Sequence, residues 1–161
     1  MKWRDWLAKW GMTSLDISTP FLEMEWQPGD DDRKAAWDLY IELLTRIATQ
    51  PLPEDDGDEA SALDSVHQLF GLTRDALRRH GPGCLEFAKI AVLMLNQVLR
   101  PFTAHWHREA LAGGFHDSAR RARFRRDLAQ VQERLRTYTR MLAEMAGVED
   151  LTQLEAGDSP G

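Results

Sequence analysis

The sequence predicts a mainly α-helical single domain, a bundle of about five to six helices with a small extended or β-hairpin element near residues 13–26. Three observations lead there. Phe124, Leu128, Val131, Leu135, Tyr138, Leu142 and Met145 step alternately by four and three residues, the a/d seam of a helix held for three heptads. A second stretch, "DDDRKAAWDLYIELLTRIATQP", puts Trp37, Tyr40, Ile41, Leu44 and Ile47 on one stripe, widened by Leu39 and Leu43. The chain's 161 residues, 43% hydrophobic and 29% charged, suffice for one globular core without disulfide or metal staples.

From the N-terminus, "KWRDWLAKWG" places Trp3, Trp6, Leu7 and Trp10 on one face of a helix over residues 1–10, with Gly11 to stop it. Leu15 and Ile17, then Leu22, Met24 and Trp26, alternate with polar residues. Period two implies extended structure over 13–26, with Pro20 at the bend. The next helix spans 31–49, with Asp30 to Asp32 where a helix start favours negative charge and Pro51 and Pro53 beyond its end. After the loop "PLPEDDGDE" a helix over 59–80 carries Ala62, Leu63, Val66, Leu69 and Phe70 inward, and Gly71 is a potential kink. "GPG" at 81–83 punctuates. The helix over 84–100 holds only Glu86 and Lys89 as charges before Arg100, so a central position is expected. Pro101 ends or kinks it, because the residue before a proline is pushed from helical dihedrals. A short helix over 103–112 follows, then the seam helix over 118–146, roughly 43 Å long, stopped by Gly147. Residues 151–161 read as an acidic, flexible tail within a tail region that carries no basic side chain after Arg140.

Charge is distributed unevenly. Residues 1–70 carry 15 acidic and 6 basic side chains, whereas residues 71–140 carry 6 acidic and 14 basic ones. Either one half docks on the other or a bipolar surface steers a charged partner. Cys84 is the only cysteine, which fits a reducing compartment. The N-terminus lacks a signal-peptide core, and the longest apolar run, "IAVLML" at 90–95, is too short for a bilayer. The expected setting is the cytoplasm, with no membrane span.

Few residues carry recognisable chemistry. His105 and His107 point about 200° apart on a helix and cannot chelate one ion, and His105 with Glu109 supplies too few ligands. Glu23 and Glu25, with Asp30 to Asp32 behind them, resemble the acids of a metal-dependent nuclease, but surface acids before a helix start explain them. Cys84 follows "GPG" near a helix start yet falls on an apolar face, so a buried thiol is expected. No nucleophile elbow or phosphate loop occurs. We therefore expect no catalytic residue, no metal site and no cofactor.

The outlier is "RRARFRR". Arg120, Arg121, Arg123, Arg125 and Arg126 crowd the first turns of the long helix, where the macrodipole disfavours cations. Arg121 even takes the seam position one heptad before Leu128. Acids of the same chain, a partner protein or a phosphate backbone would neutralise them, and Arg74, Arg78 and Arg79 would extend the patch if their helix lay alongside. Trp3, Trp6 and Trp10 either enter the core or form a docking arm, since Trp and Arg dominate binding hot spots. The expected function is a non-catalytic protein–protein interaction or regulatory subunit of a larger assembly, hetero- or homo-oligomeric. These arginines and tryptophans would be its binding residues. Nucleic-acid or nucleotide-phosphate binding through Arg120–Arg126 is the alternative, and a nuclease-like enzyme comes third.

Overall fold

The computed structural model describes residues 1–46, 49–53 and 58–154. Its helices are α1 (Trp3–Lys9), α2 (Thr19–Leu22), α3 (Asp30–Leu44), α4 (Glu59–His80), α5 (Leu85–Leu93), α6 (Arg100–Leu111) and α7 (Ser118–Ala146). The mainly helical class is as expected.

α7 is the spine. All seven seam residues are buried, Leu135 and Leu142 completely. Asp117 caps its start by accepting from the Arg120 N–H (3.3 Å), and Gly147 closes its end in the left-handed region at φ 70°. α3 packs along α7 more extensively than any other pair of elements. The two run antiparallel: the Leu151 N–H just beyond α7 donates to the Tyr40 hydroxyl, while Arg136 and Gln132 reach the Thr49 and Gln50 carbonyls past the end of α3. The Tyr138 hydroxyl is buried without a hydrogen-bond partner among the described residues, and burial pushes its pKa up.

α3 turns inward only part of the face its large side chains suggest. Asp32, Ala35, Ala36, Leu39, Tyr40 and Leu43 are buried, whereas Trp37 is 43% exposed and Ile41 sits at the surface. Leu39, Tyr40 and Leu43 thus face inward as expected, while the small Ala35 and Ala36 take buried places and Trp37 and Ile41 lie outside. The helix also ends at Leu44, short of the expected 49. Thr49 turns back and donates its hydroxyl to the Leu43 and Arg46 carbonyls (2.6 and 2.9 Å), satisfying acceptors at that end. Ile47, expected on the stripe, lies outside the described residues.

Asp32 ties two helix starts together. One carboxylate oxygen accepts from the Gly29 N–H (2.8 Å) at the start of α3, and the other from the Phe87 N–H (2.9 Å) in the first turn of α5. Gly83 lies against the neighbouring Asp31: a Cβ there would come 2.1 Å from a carboxylate oxygen, so that side chain would have to move aside.

From Glu59 to Leu111 the chain is helical with one sharp turn at Gly81, where φ is 66°. α4 passes Gly71 unbroken. Contacts of His67 with His107 and of Phe70 with Arg100 show that α4 and α6 are antiparallel. Of the two outcomes the sequence left open at Pro101, an end or a kink, the helix does not end there. Residues Met94–Leu99 form a π-helical segment, Arg100 keeps helical dihedrals (φ −60°, ψ −46°), and α6 starts with Pro101 in its first turn. The wider π turns make room for the ring and absorb the missing donor.

This helical stretch is long and apolar enough in one window to cross a membrane by length and composition. Of that window 39% is buried, and its Phe87, Ile90, Ala91 and Met94 face lies fully inside the bundle. The opposite side is not central as expected, since Leu85 and Val92 are 62% and 46% exposed.

The hairpin near 13–26 is absent among the described residues. Pro20 occupies the first turn of α2 instead of a bend, because its fixed φ suits a helix start. Residues 24–26 pair with the N-terminus through a single antiparallel bridge, Lys2 with Glu25. The flanking bonds run from Trp3 N–H to the Met24 carbonyl (2.9 Å) and from Trp26 N–H to the Met1 carbonyl (2.8 Å). The tail forms a short 3-10 turn at Thr152–Leu154; residues 155–161 lie outside the described residues.

Candidate functional site

The tryptophans of α1 are interior. Trp3 and Trp6 are 0% exposed and meet edge to face at 5.2 Å, with Trp26 stacked on Trp6 at 4.9 Å. Each buried indole removes roughly 150–250 Å² from water, worth about 4–6 kcal/mol. Their polar edges are met by carboxylates. Trp3 donates to Glu86 (2.8 Å), and both Trp6 (3.0 Å) and the half-buried Trp10 (2.6 Å) donate to Glu144 on α7. Lys9 closes the cluster on the other Glu144 oxygen (2.6 Å). Burial pushes the Glu144 carboxyl up, but the hydrogen bonds from Lys9, Trp10 and Trp6 outweigh it and hold its pKa below the usual carboxylate value. Trp3 and Trp6 thus present no face to a partner.

The five arginines of "RRARFRR" divide. Arg120 lies 3.6 Å from Glu109 and 3.8 Å from Asp117. Arg125 is half-buried, donates to Glu59 (3.2 Å) and reaches the Pro53 carbonyl (3.0 Å). Arg121, Arg123 and Arg126 are exposed, with no carboxylate within 4 Å among the described residues. At 100° per residue, Arg123 and Arg126 share the outward face opposite Phe124 and Leu128, and Arg121 flanks Arg125. Arg121 stays out of the core although it continues the seam spacing. Arg74, Arg78 and Arg79 do not extend the patch. Glu59 sits beside Arg125, so α4 carries Arg79 about 30 Å away along its axis. There Arg79 and His80 share Asp38, both at 2.6 Å.

Among the described residues the acidic and basic halves meet through Asp38 and Glu59. Glu23 binds Lys2 (2.6 Å) and Arg4, which hold its carboxyl below the usual value. Glu25 meets the N-terminal ammonium (3.3 Å). Neither faces Asp30 to Asp32 in a shared cluster. His105 lies edge-on to Trp106 and His107 edge-on to His67, both at 4.9 Å, so the two histidines point to different neighbours. Among the described residues no group of three or more His, Cys, Asp or Glu is placed to hold a metal ion. Cys84 is buried and donates to the Gly81 carbonyl (3.1 Å); burial, then the Asp32 charge, pushes its thiol pKa up. An unionised thiol is a poor nucleophile.

A concavity between two helices escaped sequence reasoning. A groove of about 460 Å³ runs between α6 and α7 and is closed on one side by Ser14 and Leu15. Val98, Phe102, Trp106 and Val131 form its floor, and His105, Asp127, Gln130 and Arg134 its rim. Gln97 holds the side wall by pairing with both backbone groups of Asp16 (2.7 and 2.8 Å). Trp106 donates its indole N–H to Asp127 (3.0 Å), and Arg134 donates to the Ser14 hydroxyl (2.9 Å). The spacing Arg123, Asp127, Gln130, Arg134 on one stripe of α7 was the available signal, but its partner wall on α6 could be found only by folding. Compared with known proteins, the chain matches no family model, no curated protein and no solved structure.

Proposed function

We propose that this chain is a non-catalytic interaction protein, a subunit of a larger cytoplasmic assembly, that docks an acidic surface of a partner protein on the start of α7. One observation carries the reading. Within a single cluster Arg120 and Arg125 have carboxylates from the chain itself, whereas Arg121, Arg123 and Arg126 stand exposed at a positively polarised helix end with none within 4 Å among the described residues. Repulsion of that kind is relieved by an external anion, and a planar guanidinium binds a carboxylate in bidentate fashion.

The test replaces Arg121, Arg123 and Arg126 by Gln, sparing the two arginines that hold the fold. Recovery of the partner on the tagged protein should fall at least tenfold (about 1.4 kcal/mol), with the melting temperature unchanged or slightly raised. Unchanged recovery refutes the reading. Binding to a mixed-sequence DNA or RNA duplex, weakening steeply with salt and with a shallower slope in the variant, would put a phosphate backbone in place of the acidic protein.

A further inference from the structure

We infer that the groove between α6 and α7 receives an acidic amphipathic helix of a partner protein, its apolar side chains on the Val98–Phe102–Val131 floor and its carboxylates on Arg123 and Arg134. This rests on the reading that the α7 arginines meet an acidic partner, and it names the form that partner takes. The floor is apolar and the trough is open to solvent on its outer side, a shape that suits the apolar stripe of a helix. Val98, Phe102 and Val131 each keep a sliver of exposure, between 6 and 8%, where they line it.

Charge sets the orientation of the occupant. Arg123, Asp127, Gln130 and Arg134 are spaced i, i+4, i+7 and i+11, one stripe along α7; the last three line the groove, and Arg123 stands one turn before them, just outside its lining. The two arginines at the ends of the stripe have no carboxylate within 4 Å among the described residues, and Arg134 spends one donor on the Ser14 hydroxyl. Between them Asp127 uses one oxygen for the Trp106 indole. A partner carboxylate is therefore favoured at either end and repelled in the middle. The arginines lie eleven residues apart, about 16 Å along the axis, or three helical turns. The complementary helix carries acids about three turns apart with apolar residues midway. An apolar floor between the two cations also sets this site apart from one for a bare phosphate backbone, which has nothing to place there.

The probe is a fluorescein-labelled helical peptide with two glutamates three turns apart, two leucines one turn apart between them, and Ala and Gln elsewhere. Its control replaces both leucines by serine. The leucine peptide should bind the full chain at least about tenfold more tightly than the serine peptide, and its binding should shift the Trp106 indole N–H resonance. Gln130→Trp plugs the groove from an exposed position and should abolish the difference, while Arg134→Gln should weaken both peptides. Equal affinity of the two peptides, or leucine-peptide binding that survives Gln130→Trp, overturns the groove proposal. If that equal binding is lost on Arg123→Gln with Arg126→Gln, the arginine reading stands without the groove. Failure of the arginine reading shows separately, as partner recovery indifferent to the triple Gln variant.

Discussion

The N-terminal tryptophan helix and the arginine-rich start of α7 are the two most conspicuous surfaces in the sequence, and the fold treats them oppositely. In α1, Trp3 and Trp6 are buried and their polar atoms meet Glu86 and Glu144. At the start of α7 only Arg120 and Arg125 find acids among the described residues, and three guanidiniums are exposed. The difference is one of completed valence. A buried indole with its N–H satisfied has nothing left to offer, while an exposed cation at a positive helix end is stabilised by whatever anion arrives.

Trp6→Ala strikes the satisfied side hardest. It removes a fully buried side chain and one of the three donors to Glu144, so it should cost about 3–5 kcal/mol in urea unfolding. A loss below about 1 kcal/mol would mean that α1 is an arm held away from the core. Arg125→Gln comes next, because it strips Glu59 of its partner in a half-buried pocket. We expect about 1–3 kcal/mol, against no comparable effect from Arg123→Gln.

The Asp38 pair makes a pH-dependent counterpart. Burial pushes the Asp38 carboxyl up, but the hydrogen bonds and charges of His80 and Arg79 outweigh it and leave its pKa below the ordinary value. A carboxylate depressed in the folded state adds stability that is fully present above its unfolded pKa, near about 3.9, and is lost as pH falls through the folded value. The melting temperature of the native protein should therefore exceed that of Asp38→Asn at pH 7, and the gap should narrow through the acid range below about pH 4. A gap independent of pH would remove the ionic contribution. Smallest of all, Arg123→Gln with Arg126→Gln should change stability by no more than about 0.5 kcal/mol, with a slight gain from relieved repulsion. A clear loss would show that these two arginines already have a partner within the chain.

Much of the fold was legible locally. The α7 seam, its Asp117 cap and Gly147 stop, and the inward face of α4 follow from spacing and capping chemistry alone. Two details were decided elsewhere. On α3, hydrophobicity selected Trp37 and Ile41, whereas close packing selected Ala35 and Ala36, because a packed interior is filled by volume as well as by hydrophobicity. At Pro101 the local rule allowed an end or a kink, and the π-helical segment before it let the helix continue. The candidate site was half visible: the arginine cluster stands in the sequence, but its division does not.

Periodicity and capping chemistry act within a few residues, so the chain by itself determined which segments coil, where most begin or stop, and that their apolar stripes need one another. The Trp–carboxylate bonds, Asp32 joining the starts of α3 and α5, and the groove between α6 and α7 join residues 21 to 138 positions apart. Only the packing of helices decided those pairs, since a hydrogen bond or ion pair forms where two groups come within about 3–4 Å. For the same reason tertiary structure alone divided five similar arginines into those that hold the bundle together and those left facing outward.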